Sequence, residues 1–322
     1  NAPTGNTGIM VTDERFVFAL GSGGNPQKVA WSDRENNNLW APSATNQAGD
    51  IELQTTGEIM CGLRAKGAAL ILTTLDAHTA IYAGPPYVYG FERAGSSCGV
   101  ISRQGAVSAN GSAYWMGKGG FFVFNGASVT EMTCEVLDKV FTDLNKAQSS
   151  KVCAIHNSKF GEVWWFYPSG DSVENDRYVV FDYKEGHWNI GALSRTTGVD
   201  MGAFVSPLWF DASGNLYNHE SGFSHDSAPY LESGPIQMGA GDNIVKVNEI
   251  IPDEGTEGQV NLTFKTRFYP NGAETSHGPY DLSSPTGARF QGRQVRMIIN
   301  GTELNNWRAG KMRLNVIEGG RR

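Results

Sequence analysis

Charge is in short supply. Only 18% of the 322 residues are Asp, Glu, Lys or Arg, against roughly 25% in an average soluble chain. The shortage falls on the basic side, with 26 Lys and Arg facing 33 Asp and Glu for a net charge of −7. That balance argues against an overall basic nucleic-acid binder. Cysteine is scarce too. Cys61, Cys98, Cys134 and Cys153 are widely spaced, with no CxxC pair and no Cys/His cluster. This excludes a disulfide scaffold and predicts reduced, partly buried thiols. No apolar run approaches the roughly 18 residues of a transmembrane helix, so no membrane anchor of that kind is expected. The opening Asn1-Ala-Pro-Thr-Gly5 has no basic region followed by an apolar one and no initiator Met. No signal peptide is expected, and the chain reads as a fragment or a processed product. HExxH, P-loop and EF-hand patterns are all missing.

What is present is apolar and turn-rich. Forty glycines make about 12% of the chain, against a usual share of roughly 7%. Apolar residues reach 40%, with 16 Phe, 11 Tyr and 8 Trp. That is enough for sizeable cores and excludes wholesale disorder. The length suggests two domains.

Short β-branched and aromatic runs recur between Gly, Asn, Asp, Ser and Pro clusters: Phe16–Leu20, Ala68–Thr74 with Thr79–Tyr82, Ser112–Met116 with Phe121–Phe124, Glu162–Tyr167 with Arg177–Tyr183, and Pro207–Phe210 with Asn215–Tyr217. Asn125-Gly126 closes one of them with a strong hairpin signal. The first runs centre near 18, 70, 114, 164 and 209, a loose period of roughly 45–50 residues that signals propeller blades. One segment differs: Val136, Leu137, Val140, Phe141 and Leu144 share a helical face, predicting one amphipathic helix near 133–145 ended by Asn145. Beyond Tyr230 the pattern becomes separate strands, Ile244–Val247, Gln259–Phe268, Gln294–Ile299 and Lys311–Val316. Val260, Leu262 and Phe264 alternate there with Asn261, Thr263 and Lys265, as in a half-buried antiparallel strand. The expected fold is all-β: propeller-like blades over 1–230 and a small β-sandwich over 231–322.

Candidate chemistry is sparse. His219-Glu220 and His225-Asp226 resemble base–carboxylate pairs but sit in a Gly/Ser-rich loop, where adjacent residues rarely converge on one atom. Asp211–Tyr217 loosely resembles an Asp box, and a turn closed by Asp and Gly explains it more simply. Gly21–Gly24 lacks a following helix and reads as a loop rather than a phosphate cradle. Asn110, Asn261 and Asn300 open sequons read as ordinary turn residues. Trp31, Trp40 and Trp188 could stack on sugars if exposed but are expected to be buried. No catalytic, cofactor-binding or metal-binding residue is expected. Charge shifts along the chain: 1–230 holds 15 basic and 23 acidic residues, net −8, whereas 280–322 holds 8 basic and 3 acidic, net +5. Arg289, Arg293, Arg296, Arg308 and Arg313, with Lys311, Arg321 and Arg322, form a basic cluster, a candidate contact surface for an acidic partner or adjacent subunit.

Several stretches carry a family likeness: Val29–Asp33 with Trp40–Asp50, Ala83–Phe91, Ala113–Lys118 with Phe121–Gly126, Asn157–Tyr167 with Asp176–Val180 and His187-Trp188, and finally Gly292–Val295, Trp307-Arg308, Arg313-Leu314 and Glu318–Arg322. In this order they resemble the tail nozzle proteins of short-tailed bacteriophages, the tail tubular protein B group. Family members are usually longer at the N-terminus, which leaves closure of the ring of blades open. The resemblance implies a structural virion protein without enzymatic activity or cofactor. It would be made in the bacterial host cytoplasm and assembled with itself as a homohexameric ring in the phage tail. That ring would meet adaptor and portal-proximal proteins, retain packaged DNA without specific binding, and pass it at ejection. The runner-up is a propeller-type receptor- or glycan-binding tail protein; a glycan-cleaving propeller stands third.

Overall fold

A computed structural model describes residues 2–222, 229–239, 243–301 and 307–320. His225, Asp226, Arg321 and Arg322 lie outside the described residues. The chain divides into two compact units, Asn1–Glu220 and Ser221–Arg322. The division falls before the expected boundary at 230, because Tyr230 already pairs with a strand of the second unit.

The first unit holds five antiparallel sheets in chain order. Blade I comprises β1 (Gly8–Val11), β2 (Val17–Leu20), β3 (Lys28–Trp31) and β4 (Gly49–Glu52). Blade II comprises β5 (Ile59–Ala65), β6 (Ala68–Thr73), β7 (Ala77–Gly84) and β8 (Val88–Gly95). Blade III comprises β9 (Ala106–Ala109), β10 (Ser112–Met116), β11 (Phe121–Phe124) and β12 (Val129–Met132). Helix α1 (Leu137–Asp143) precedes blade IV, which comprises β13 (Cys153–Asn157), β14 (Glu162–Tyr167), β15 (Arg177–Asp182) and β16 (His187–Ala192). Blade V has three strands, β17 (Thr197–Val199), β18 (Leu208–Phe210) and β19 (Leu216–Asn218). Each of the five recurring run centres falls in or beside the second strand of its blade.

The first strands of successive blades neighbour one another, β1 with β5, β5 with β9, β9 with β13 and β13 with β17. The Arg103 guanidinium before β9 donates to the Thr7 carbonyl before β1 at 3.4 Å, linking the segment that leads into blade III to the one that leads into blade I. That is the radial arrangement of a propeller-like fold. The second strands of blades II and IV are apolar because both of their faces are covered. In β6, Ala69 and Ile71 pack with Phe16, Phe18 and Trp31 of blade I, whereas Leu70 and Leu72 pack with Trp115 and Phe124 of blade III. In β14, Val163, Trp165 and Tyr167 join Phe121 and Trp188, and Phe166, flanked by Trp164, joins Trp209 of blade V. A period of two thus directs alternate side chains into alternate interblade cores. Each fully buried large apolar side chain contributes about 1.5–3 kcal/mol.

The helix is shorter than expected. It covers Leu137–Asp143, with Val140 buried in the core between blades III and IV. Asn145 does not end it. Leu144 turns extended, and the Asn145 side chain instead accepts from the Ala147 amide at 3.1 Å to start a 3-10 segment, Lys146–Lys151.

In the second unit, β20 (Tyr230–Glu232) and β21 (Ile236–Gln237) precede β22 (Val245–Pro252), β23 (Val260–Arg267), β24 (Thr275–Asp281), β25 (Thr286–Gly292), β26 (Gln294–Gly301) and β27 (Met312–Glu318). One sheet runs β20-β26-β23-β24, with β21 also on β26; the other runs β25-β22-β27. Val245, Val247 and Phe290 from one sheet meet Leu262, Phe264 and Ile299 from the other in a single core, the layering of a small sandwich.

Candidate functional site

A polar cluster of the first unit lies where β13 hands over to β14. The hairpin turn is closed by the Gly161 amide donating to the Asn157 carbonyl at 3.0 Å. Gly161 has φ +84 there, a left-handed conformation that favours glycine. The turn sets Asn157 opposite Glu162 in the ladder. Asn157 is fully buried. Its Nδ2 donates to Glu162 Oε2 and to Glu220 Oε1, each at 3.1 Å. Trp164 Nε1 donates to the same Glu162 oxygen at 2.9 Å, and Lys159 Nζ holds the Glu220 carbonyl at 2.9 Å. Because both carboxylate oxygens are 3.1 Å from one nitrogen, they lie within about 6 Å of each other. Burial raises the Glu162 pKa above the usual carboxylate value, and the nearby Glu220 and Asp182 charges raise it further against the Trp164 and Asn157 hydrogen bonds.

Beside the pair stands a second group. His156 Nδ1 contacts Asp200 Oδ2 at 2.9 Å, and its Nε2 shares a hydrogen bond with the Tyr183 hydroxyl at 3.1 Å. Burial lowers the His156 pKa despite Asp200, so the ring is neutral at neutral pH, with Nδ1–H on Asp200 and Nε2 accepting from Tyr183. Asp200 also accepts from the Ser158 amide and hydroxyl at 3.1 and 3.0 Å. Ser158 therefore bonds the carboxylate and not the imidazole. This is not the chain of bonds that activates a serine nucleophile.

The adjacent His219-Glu220 residues diverge. Glu220 turns to Asn157, whereas His219 stacks on Trp209 with ring centroids 3.8 Å apart and accepts from Arg195 Nε at 2.9 Å. Burial and the Arg195 charge lower the His219 pKa to about 4. Asp211 closes its own turn, accepting from the Ser213 and Asn215 amides at 2.9 Å and from the Tyr217 hydroxyl at 3.0 Å. Asp76 is a structural staple: Oδ1 accepts from Thr73 and Thr55 hydroxyls at 2.6 and 2.9 Å, tying a turn of blade II to the loop before it. Trp31 and Trp188 are buried as expected, but Trp40 is half-exposed. Among the described residues no group of three or more His, Cys, Asp and Glu is placed to hold a metal ion, and no helix is long and apolar enough to cross a membrane.

The arginines of the basic cluster do not gather as one group on the strands. Arg289 on β25 and Arg313 on β27 lie on opposite edge strands of one sheet. Arg296 lies on β26 of the other, paired with Glu232 at 2.7 Å and Glu274 at 3.3 Å. Arg293 follows β25 with its guanidinium 5.6 Å from the Tyr269 ring centroid. Arg308 bonds the Glu257 backbone. Sequence reasoning missed the Glu162–Asn157–Glu220 bridge. A usable signal was present in part, since Asn157 and Glu162 flank a recognisable hairpin turn.

No known family model matches the chain, and no curated protein matches it either. Solved structures that are similar include two substituted forms of an exo-β-1,3-galactanase from Phanerochaete chrysosporium with β-1,3-galactotriose. Both are 10% identical and cover 99% of this chain and 96% of that one, with TM-scores of 0.34 and 0.32. A glycoside hydrolase is similar at 11% identity, covering 93% and 96% of the two chains, with a TM-score of 0.32. These findings correct two expectations, that the chain is a phage tail nozzle subunit or tail binding protein and that it is not an enzyme: the similar structures are glycoside hydrolases. At such identities and scores they assign no role to any residue here, and the function has to be argued from the site itself.

Proposed function

We propose that the first unit is a glycan-cleaving hydrolase in which Glu162 is the acid–base residue and Glu220 the nucleophile. The observation that carries this is the single buried amide of Asn157 holding one oxygen of each carboxylate at 3.1 Å. Hydrolysis of a glycosidic bond needs two carboxyl groups across the scissile bond, one of them protonated at working pH. Glu162 suits the acid: its raised pKa extends the protonated form toward neutral pH. It delivers its proton to the glycosidic oxygen as the bond to the anomeric carbon breaks. Glu220 supplies the carboxylate that meets the positive charge developing on the sugar. The oxygens lie within about 6 Å, short of the roughly 6.5–9.5 Å of inverting pairs, so the spacing favours attack by Glu220 and retention. A covalent glycosyl–Glu220 is then released by water, with Glu162 now taking the proton.

The test is turnover of a panel of polysaccharides and aryl glycosides by the native chain, Glu162→Gln and Glu220→Gln. Each substitution is expected to lower kcat by about 10²–10⁴. Glu162→Gln should be the one partly restored by aryl substrates whose leaving group needs no proton. Native turnover of every cleaved substrate by both variants, or no turnover of any panel substrate by the native chain, refutes the assignment.

A further inference from the structure

The second unit carries a pocket with a different chemistry. It is an open pocket beside β24 and β25, edge strands of the two sheets, with a volume of about 460 Å³, within the size range of small-ligand sites. Lys246 and Arg289 line it, and no carboxylate does. Neither cation forms an ion pair among the described residues, whereas Arg296 and Lys265 of the same unit share Glu232. Two unpaired cations beside an apolar wall leave a positive potential without an internal counter-charge.

The remaining surface is aromatic and neutral. Phe290 is 5% exposed and Phe268 is 38% exposed, giving a covered ring and an accessible one. His277 stacks on Phe290 with centroids 5.1 Å apart and planes 18° apart, and its Nε2 shares a hydrogen bond with Thr266 Oγ1 at 2.9 Å. Burial lowers its pKa, so it adds no charge at neutral pH. Thr275, Asn248 and Gln291 add uncharged hydrogen-bonding groups.

We propose that this pocket binds an anionic sugar residue of a glycan chain, a pyranose ring bearing a carboxylate or a sulfate. The cations meet the anionic substituent, with Arg289 able to take two of its oxygens at once. The exposed Phe268 ring gives an apolar surface for the C–H face of the sugar. Thr275, Asn248 and Gln291 can both donate to and accept from ring hydroxyls. The site lies wholly in the second unit and does not rest on the Glu162–Glu220 assignment.

The test is calorimetric titration of the full chain with trigalacturonic acid, its methyl ester, a sulfated disaccharide and inorganic phosphate. At least one of the two acidic sugars is expected to bind, with affinity falling as salt rises. The sugar that binds identifies carboxylate or sulfate as the anion. The double variant K246Q/R289Q should weaken that binding tenfold or more, and F268A should weaken it without changing its salt dependence. Lys246, Arg289 and Phe268 are exposed, so circular dichroism should show all variants folded. E162Q should bind as the native chain does, which separates this site from the catalytic pair. Failure of both acidic sugars to bind, equal binding of the methyl ester, phosphate binding as tightly as the sugar, or an unchanged K246Q/R289Q variant each overturns the proposal.

Discussion

Replacing Asn157 with Ala isolates the physics of the carboxylate pair. The side chain is fully buried, and its amide donates one hydrogen bond to each of Glu162 and Glu220. A hydrogen bond to a charged group contributes about 1.5–3 kcal/mol net. Both carboxylates are only partly buried and regain some water when the amide is removed, so the lower end applies and the two bonds together are worth about 3 kcal/mol. One effect opposes the loss. Asn157 Oδ1 is buried without a hydrogen-bond partner, and removing an unsatisfied acceptor returns about 1 kcal/mol. The expected net cost of Asn157→Ala at pH 7 is therefore about 2 kcal/mol.

Urea unfolding followed by tryptophan fluorescence is the appropriate assay, because all tryptophans except Trp307 lie in the first unit. The cost should also depend on pH in a definite direction. The Asn157 hydrogen bond lowers the Glu162 pKa, so its loss raises that pKa further, and the penalty shrinks as pH falls and Glu162 takes up its proton. Asn157→Asp places a third carboxylate between two others and should cost more than Asn157→Ala at pH 7. A cost below about 0.5 kcal/mol at pH 7, within the range of an ordinary surface substitution, would refute the bridging role. So would a cost that stays constant down to pH 4.

Three further outcomes are expected. Trp165 has no exposed surface and lies between Phe121 and Trp188, so Trp165→Ala should cost about 3–5 kcal/mol in the same unfolding experiment; a loss under 1 kcal/mol contradicts the interblade core. His219 has a folded pKa of about 4, below its ordinary 6.5, so protons favour the unfolded chain. Its contribution is complete above pH 6.5 and falls toward pH 4 by at most about 1.4 kcal/mol per unit; His219→Gln should flatten that part of the stability–pH curve. Burial pushes the Cys153 thiol up to about 12 and the Cys98 thiol up to about 11, so both should resist a thiol-specific reagent at pH 8 until urea unfolds the chain, and prompt reaction of the native chain would contradict their burial.

How much of this was legible depends on what each residue has to satisfy. The second strands of the blades stood out because both faces are covered, so Ser112–Met116 and Glu162–Tyr167 carry continuous apolar and aromatic character and match β10 and β14 end to end. Outer strands such as β4, Gly49–Glu52, expose most of their residues and carry no comparable run. Strand β24 was missed for the same reason, since Thr275–Asp281 is largely exposed. The carboxylate pair was illegible for another reason: Glu220 reaches Asn157 from 63 residues away, with φ +59 at Glu220 itself, and neither fact is written locally. In the basic C-terminal stretch, nearness in sequence does not set position in the sheet, since Arg289 and Arg313 lie on its opposite edge strands.

The likeness to tail nozzle proteins has a physical origin in the same residues. Trp115, Met116, Phe121, Phe124, Trp165 and Phe166 within its motifs have essentially no exposed surface, and Trp31 and Trp188 are core residues too. Such residues record the requirements of packing one blade on the next. Any propeller with blades of this size must meet those requirements whatever chemistry it carries, so motifs built from them speak for architecture and leave activity undetermined. The groups with a chemical claim, Glu162, Glu220 and the Lys246–Arg289 pair, are partly or fully exposed and gain no packing energy from their identity. Substituting them should therefore change turnover or binding while leaving the apolar cores intact, whereas substituting the motif aromatics should unfold the blades.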